Sequence, residues 1–552
     1  MEYIDVVTFG DLLIRGADRY PDRVAVVLPD ERHTYASLAG AAVRAARSLL
    51  GLGVRPGDHV GILMPNCMDF VEVMFGAAML GAWVVPINAR FKGRELAYVA
   101  ENADLKVLVT SDIVDQFTDY VEILHDCLPG LAAADDPNDL RLGVAPALRS
   151  VVLLGQKAPA GMVDRAGWDA LADVAGERDV HRLRSQVAIR DVAVMLYTSG
   201  TTAMPKGCPL SHEAVVRTAV VAGRDRFAFS VDDVLWDPLP LFHMSAILPM
   251  IGVFDAGASY VTLTHFDAGV ALAQMKEEGC TVCFSTFPTV TQALLNHPGY
   301  RPGDLDRVRL MNNVAPPDLL LAIHAALPTA RHMSAYGCTE AGGVIAFHSP
   351  DDPDDVRATT SGRPFRGIEV QMRDAETGRE VAPGDRGQIW VRGYNLFEGY
   401  YKDPDKTSER FDANGWFNTG DIGRFDVDGR ISYIGRIKDM LKVGGENVAA
   451  IEIESFLQTH PAVAVAQVVG IPDSKYDEVP AAFVELKPGR ALAEGELIAF
   501  CAGEISSFKV PRYVRVITEW PMSATKIQKF RLRDRLCEEL GLGPSVASAQ
   551  PS

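Results

Sequence analysis

One lysine near the end of this 552-residue chain and one loop far upstream hold the residue types needed to handle a nucleotide. The loop is Tyr197-Thr198-Ser199-Gly200-Thr201-Thr202-Ala203-Met204-Pro205-Lys206-Gly207. Glycine lets backbone N–H groups turn toward anionic oxygens, the hydroxyls add donors, and Lys206 adds positive charge. An ordinary Ser/Thr turn needs only one or two such residues, so the run reads as a phosphate cradle. It is not a Walker loop, because Lys206 does not fall in G-x-x-x-x-G-K-[ST]. The lysine is Lys526, in Ala524-Thr525-Lys526-Ile527-Gln528-Lys529. The two suggest a nucleotide held in one domain and chemistry completed by a lysine from another.

The elements that must position these residues follow from hydrophobic patterning. Residues 191–196 read as a strand, and Ser211 is placed to cap a helix directly after the loop. That predicts strand, loop and helix in succession, an arrangement suited to anions. Upstream, strands are predicted at 60–64, 83–87 and 105–110, with helices at 70–80 and 96–103 between them. Such alternation predicts an α/β fold, a parallel sheet wrapped by helices. Residues 131–146, rich in Ala, Asp and Pro, read as a surface excursion. After about residue 360, short strands at 369–373, 387–392 and 430–435 predict a small antiparallel or β-barrel-like subdomain. A further α+β segment carries a helix at 451–457, strands at 463–470 and 481–486, and a helix at 497–505. The expected organisation is a large N-terminal domain (1–437), a small mobile C-terminal domain (438–540) and a frayed tail (541–552).

Hydrophobic residues make up 48% of the chain and charged residues 23%, as in globular proteins. The net charge of -18 argues against a nucleic-acid binder, whose affinity comes from basic surface. Phosphate binding needs only a local positive field. Of the eight cysteines, Cys280 and Cys283 form the sole close pair, and no second ligand pair follows, which argues against zinc. Reduced, buried thiols in a cytoplasmic protein are expected. The N-terminus shows no signal-peptide pattern, and the longest apolar stretch, 74–87, is too short for a membrane span and is broken by Gly76, Gly81 and Pro86. Peripheral membrane association is not encoded visibly, and a homodimer remains open.

Residues 197–207 resemble the signature loop T-S-G-T-T-G-x-P-K-G of the adenylate-forming superfamily, which includes AMP-forming acyl-CoA synthetases, aryl-CoA ligases, luciferases and adenylation domains. Ala203 replaces a glycine of that pattern. Tyr336-Gly337-Cys338-Thr339-Glu340 is similar to the family's Y-G-x-T-E, and Trp416-Phe417-Asn418-Thr419-Gly420-Asp421 to its W-x-x-T-G-D. Tyr433 to Asp439 resembles the hinge segment. These motifs, in family order, cover about residues 10–535. The resemblance implies a two-step ligase. A carboxylate attacks the α-phosphate of ATP, giving an acyl-adenylate and pyrophosphate; a thiol, usually of coenzyme A, then displaces AMP. Negative charge crowds around phosphorus in the first step, so positioning and cationic stabilisation should dominate catalysis.

The resemblance also implies roles. Thr198, Ser199, Gly200, Thr201, Thr202 and Lys206 would bind the phosphates. Lys526 would bridge the substrate carboxylate and the phosphate; Thr525 stands where the family usually has the preceding glycine, and Lys529 is a nearby decoy. Thr339 would bind the α-phosphate, and Glu340 a Mg²⁺, a hard cation that keeps waters and phosphate oxygens. Tyr336 and Gly337 would lie against one side of the adenine, with Asn313, Val314, Ala315 and Pro316 lining the other. Asp421, supported by Arg436, would accept from the ribose hydroxyls. Lys438 would be the hinge, and Lys442 with Gly444 and Gly445 would line the coenzyme A tunnel. Phe242, His243, Met244 and Phe287 would wall the acyl pocket. Amino-acid-activating relatives place an aspartate where His243 stands, so an apolar carboxylic acid is expected. The acceptor is read as coenzyme A, with a carrier-protein thiol as the alternative, an oxidative relative of luciferase as another reading, and a nonenzymatic nucleotide-binding protein as a third.

Overall fold

The computed structural model describes residues 7–198, 204–315, 317–443, 446–473, 475–502, 504–522 and 527–542, without the side chains of Asp318, Lys438, Glu446, Asn447 and Asp477. The chain forms two compact units, one of Met1–Glu369 with Val391–Phe417, the other of Val370–Trp390 with Asn418–Ser552.

The larger unit holds two large sheets. The six-stranded sheet runs in the order Ser150–Leu153, Leu105–Thr110, His59–Leu63, Trp83–Pro86, Val192–Thr198, Lys206–Ser211. Its first five strands are parallel and the last is antiparallel. The seven-stranded sheet runs Arg331–Met333, Leu310–Asn313, Val282–Thr286, Val234–Trp236, Ser259–Val261, Val24–Leu28, Glu31–Thr34, parallel except at the last pair. His59–Leu63 is buried at every residue, as expected for a strand covered on both faces. The helix Met68–Met79 follows the expected strand–helix order and is buried around most of its circumference. A small sheet, Ala335–Tyr336 with Ala346–Phe347 and Arg363–Pro364, completes the unit.

The smaller unit carries the short strands expected after residue 360, including Phe417–Phe425 antiparallel to Ile431–Arg436. It also holds a five-stranded sheet centred on Asp477–Leu486. That sheet is covered by the helices Ala450–Gln458, Glu494–Cys501 and Lys529–Glu539. Leu441, Ile453, Leu457, Val468, Val484 and Leu497 pack one face, and Ile471, Phe483, Leu532 and Leu536 the other. Among the described residues, no helix is long and apolar enough to cross a membrane.

Three expectations change. Residues 131–146 lack regular helix or strand and are mostly exposed, as expected of a surface excursion, but the segment is anchored in the core. Leu131, Leu140, Leu142 and Ala145 are buried in the core beside Leu105 and Val151. Their apolar positions are too irregular to announce themselves, yet they close the end of a sheet. The cysteines form no disulfide, but Cys127 and Cys338 are only half-buried. The third change concerns the phosphate loop. No helix follows it directly; residues 206–211 form a strand that returns antiparallel to Val192–Thr198.

Candidate active site

Thr198 ends one strand and Lys206 opens its partner, and the two are directly opposed across the ladder. The loop is therefore the connection of a hairpin. Ser199, Gly200, Thr201 and Thr202 lie outside the described residues. Ser211 closes the returning strand, and its Oγ accepts from the Ala214 N–H at 3.1 Å. The capping role expected of Ser211 is present, but about 20 Å of extended strand separates that helix start from the loop. The helix dipole acts over its first turn, so any phosphate at the loop must rely on the loop's own N–H groups, its hydroxyls and Lys206.

Lys206 is half-buried, and its Nζ lies 5.1 Å from the centroid of the Tyr400 ring. Burial holds its ammonium below the ordinary lysine range, with the nearby Asp403 opposing and Lys406 and Arg410 adding to the shift. A cation already stripped of part of its water gains more from an arriving phosphate. The neighbouring Gly207 allows close approach: a Cβ there would stand 3.0 Å from Met195 Sδ and 3.1 Å from Tyr401 Cβ. Tyr401 donates its N–H to the Gly207 carbonyl at 2.9 Å and its hydroxyl to Asp104 at 2.7 Å, tying the exit of the loop to the parallel sheet.

The Tyr336–Glu340 segment leaves the sheet through Ala335–Tyr336 and enters a single 3-10 turn, Thr339–Ala341. Tyr336 is buried, and its carbonyl accepts from Ile345 at 2.8 Å. Glu340 is half-buried. Its backbone carbonyl accepts from the Phe397 N–H at 2.9 Å, and its Oε1 accepts from the Tyr400 hydroxyl at 2.9 Å. Burial and the adjacent Glu340 carboxylate push the Tyr400 phenol far up, so it stays a donor. Lys206 and Glu340 are brought to one tyrosine from separate motifs, and among the described residues no ion pair joins them. The reading of the sequence missed Tyr400. The only signal was the tandem Gly399-Tyr400-Tyr401, which no phosphate or metal pattern distinguishes.

Gly343 follows with φ 95°, and a Cβ there would stand 2.9 Å from Met244 Cβ. The turn that carries Glu340 thus lies directly against the segment expected to wall the acyl group. That segment is pinned from within. Asn66 donates to the Leu239 carbonyl at 2.8 Å and to Thr262 Oγ1 at 2.9 Å, and it accepts from the Leu241 N–H at 2.8 Å. Phe242 and Met244 are buried; the His243 ring lies 4.8 Å from the Phe242 ring, and His243 occupies the position just before the helix Met244–Ala256. On the neighbouring strands, Asn313 is fully buried, and its Oδ1 accepts from Thr291 at 2.8 Å. Its side chain therefore braces the sheet, while Val314 is exposed and Ala315 half-buried. Thr286 takes a left-handed φ of 53°, a strained conformation for a β-branched residue, and precedes the exposed Phe287. Pro316 lies outside the described residues.

In the smaller unit, Asp421 and Arg436 are opposed across a ladder, with Arg436 Nε 3.4 Å from Asp421 Oδ1. This pairing was expected. Thr419 fixes the bend that presents the aspartate: its Oγ1 donates to the Ile389 carbonyl at 2.9 Å and accepts from the Asp421 N–H at 3.2 Å. Lys438 lies in the 3-10 turn Ile437–Asp439. Lys442 is exposed on the strand Met440–Val443, where its N–H bonds Glu478 at 3.0 Å. Gly444, Gly445 and Lys526 lie outside the described residues. Lys529, the decoy, is ion-paired at 2.5 Å with the buried carboxylate of Glu454.

The sequence matches the AMP-binding enzyme family over residues 13–401 and the AMP-binding enzyme C-terminal domain over residues 452–526. This chain belongs to the AMP-binding enzyme family. YngI of Bacillus subtilis, classed as an acyl-CoA synthetase, is 35% identical over 547 residues, covering 98% of each chain. The mitochondrial medium-chain acyl-CoA ligase ACSF2 of Rattus norvegicus is 32% identical over 554 residues, covering 97% of this AMP-binding enzyme and 88% of the rat protein. Among solved structures, the anthranilate CoA ligase AuaEII in complex with anthranoyl-AMP aligns with a TM-score of 0.83 at 27% identity, covering 98% of this chain and 99% of that one. ATP-bound MatB from Rhodopseudomonas palustris aligns at 0.82 and 27%, covering 96% and 99%. This AMP-binding enzyme is an AMP-forming acid–thiol ligase. It uses ATP to activate a carboxylic acid as an acyl-adenylate and forms the acyl-CoA.

Proposed function

We propose that this enzyme activates an apolar, medium-length carboxylic acid, with Lys206 and Glu340 acting on the phosphates and Lys526 on the reacting carboxylate. The observation that carries this reading is the meeting of Lys206 and Glu340 at Tyr400. One is a cation partly stripped of water; the other is a carboxylate held at a turn. Glu340 fits Mg²⁺ by its chemistry: a single carboxylate suffices for an ion that keeps waters and phosphate oxygens. Among the described residues no cluster of three or more His, Cys, Asp or Glu could cage a metal without the nucleotide. Bound there, Mg²⁺ would neutralise charge on the phosphates. Lys206 and Thr339 would orient the nucleotide so that a carboxylate oxygen attacks the α-phosphorus in line as pyrophosphate leaves. Asp421, backed by Arg436, would hold the ribose, and Tyr336 with Gly337 and Val314 the adenine. In the second step the coenzyme A sulfur attacks the acyl carbon, AMP leaves with the bonding electrons, and the thiol proton is released.

Lys526 and the coenzyme A loop of Lys442, Gly444 and Gly445 would serve opposite halves of this sequence, exchanged by rotation of residues 438–540 about Lys438. The buried Phe242 and Met244, together with His243 in place of an acid, support an apolar acyl group over an amino acid. The medium-chain ligases among the relatives support an intermediate length.

Separate assays of the half-reactions test this. Lys526→Ala should abolish acyl-AMP formation yet leave thioester formation from supplied acyl-AMP largely intact. Lys438→Pro should do the reverse. Equal loss of both steps in either variant would sink the assigned role. A mass-spectrometric screen of carboxylic acids should give the strongest coenzyme A thioester signal with medium-length aliphatic acids. A preference for short dicarboxylic or amino acids would overturn the pocket reading, and acyl-AMP accumulating despite coenzyme A would favour a carrier-protein acceptor.

A further inference from the structure

The segment from Phe397 to Tyr401 touches both catalytic motifs of the larger unit. Phe397 donates its N–H to the Glu340 carbonyl at 2.9 Å, and Tyr401 donates its N–H to the Gly207 carbonyl at 2.9 Å. Between them, Tyr400 offers its ring face to Lys206 and its hydroxyl to Glu340 Oε1. The segment is itself held. Thr407 Oγ1 accepts from the Tyr400 N–H at 2.9 Å and donates to the Asp403 carbonyl at 2.8 Å. The Phe397 ring meets the Tyr400 ring edge-on at 4.9 Å. The phenol therefore has a fixed origin and a fixed direction.

Two features separate this contact from ordinary packing. Phenylalanine would fill the same space, because the ring contacts need no hydroxyl. The hydroxyl's partner is the one carboxylate of the Tyr336–Glu340 motif. A glutamate side chain has three rotatable bonds and loses substantial freedom when it is fixed. A donor on Oε1 sets the plane of the carboxylate and so the direction in which its other oxygen lies. The ring also stands beside Lys206, and among the described residues no ion pair joins Lys206 to Glu340. A lysine and a glutamate neutralised against each other would be of little use to phosphate or metal.

We propose that Tyr400 is a positioning residue that, through its hydroxyl, orients the Glu340 carboxylate for the metal–nucleotide complex. This rests on Glu340 facing the metal, as proposed above. Groups that orient a metal-binding carboxylate typically change metal affinity or activity by roughly 10- to 100-fold when removed.

The test uses the full-length protein and calorimetric binding of a non-hydrolysable ATP analogue, once with Mg²⁺ and once with EDTA. The ratio of the two Kd values is the metal-dependent increment. Tyr400→Phe should cut that increment about 10-fold and leave the EDTA affinity and melting temperature unchanged. The Mg²⁺ concentration giving half-maximal acyl-AMP formation should rise by a similar factor. In a Glu340→Gln background, Tyr400→Phe should change nothing further. The proposal is overturned by an unaltered increment in Tyr400→Phe, by an equal loss of affinity in EDTA, or by an effect that persists without the Glu340 carboxylate. If Glu340→Gln alone keeps the full increment, the metal reading falls and this proposal with it. If Glu340→Gln loses it while Tyr400→Phe does not, this proposal fails alone.

Discussion

Lys526 and Lys529 lie three positions apart in one short motif, and the sequence offers both as mobile cations. Lys529 is spoken for. Its ammonium meets Glu454, whose carboxylate is buried, is pushed up by that burial and pulled back mainly by Lys529, and also accepts from the Val468 N–H at 2.7 Å. A lysine that compensates a buried acid cannot leave it without cost. Lys529→Ala should therefore destabilise the smaller unit by about 3 kcal/mol, as when one partner of a buried ion pair is removed. Any loss of acyl-AMP formation should track that unfolding. Adding Glu454→Leu, which removes the stranded charge, should recover stability and activity together. Lys526→Ala should show the opposite pattern, an inactive protein of normal melting temperature. Calorimetry beside an adenylation assay distinguishes the two, and a folded but inactive Lys529→Ala would exchange their roles.

Segments of regular chain were the legible ones. The strand Leu105–Thr110 and the helix Met68–Met79 announce themselves by apolar runs and helical spacing, and the Asp421–Arg436 pairing by its motif. Residues 206–211 did not. Gly207 and Pro209 interrupt the run, so its burial against Val192–Thr198 comes from the neighbouring strand rather than from local propensity. Tyr400 and Asn66 were likewise illegible, because each acts on residues remote in sequence. Asn66 follows the strand His59–Leu63, yet two of its hydrogen bonds fix the Leu239–Leu241 bend that leads into Phe242 and His243, and a third ties it to Thr262. No local pattern marks such a residue. Replacing it leaves buried backbone groups unpaired, so Asn66→Ala should cost about 3 kcal/mol. It should also loosen the acyl wall, raising KM for the carboxylic acid several-fold while KM for ATP stays within error. A matched rise in both would move Asn66 from the acyl wall to general stability.

Among the described residues of the larger unit, burial lowers three histidines furthest and holds them in the neutral form. His212 accepts the Phe9 N–H on Nδ1 at 3.0 Å, and burial lowers it to about 4. His348 accepts the Ser334 N–H on Nδ1 at 3.0 Å, and burial again lowers it to about 4. His332 is lowered to about 4 chiefly by burial, with the Leu327 carbonyl opposing and the adjacent His324 adding to the shift. In the unfolded chain each returns to the ordinary value of 6.5. Between those values the unfolded state holds the extra proton. Their contribution is thus complete above about pH 6.5 and is lost as pH falls toward the folded-state values. Each group adds a slope of about 1.4 kcal/mol per pH unit in that window, so three together would give about 4. The melting temperature of the larger unit should be nearly flat from pH 8 to 7 and fall steeply from 6 to 4.5. Titrating carboxylates steepen the acid end in every variant, so the informative quantity is a difference. His348→Gln keeps a side-chain hydrogen-bonding group but cannot take up the proton, and should remove about a third of the contribution these three histidines make to the slope between pH 6 and 5. An unchanged slope in His348→Gln would mean that this histidine binds its proton in the folded protein as readily as in the unfolded chain.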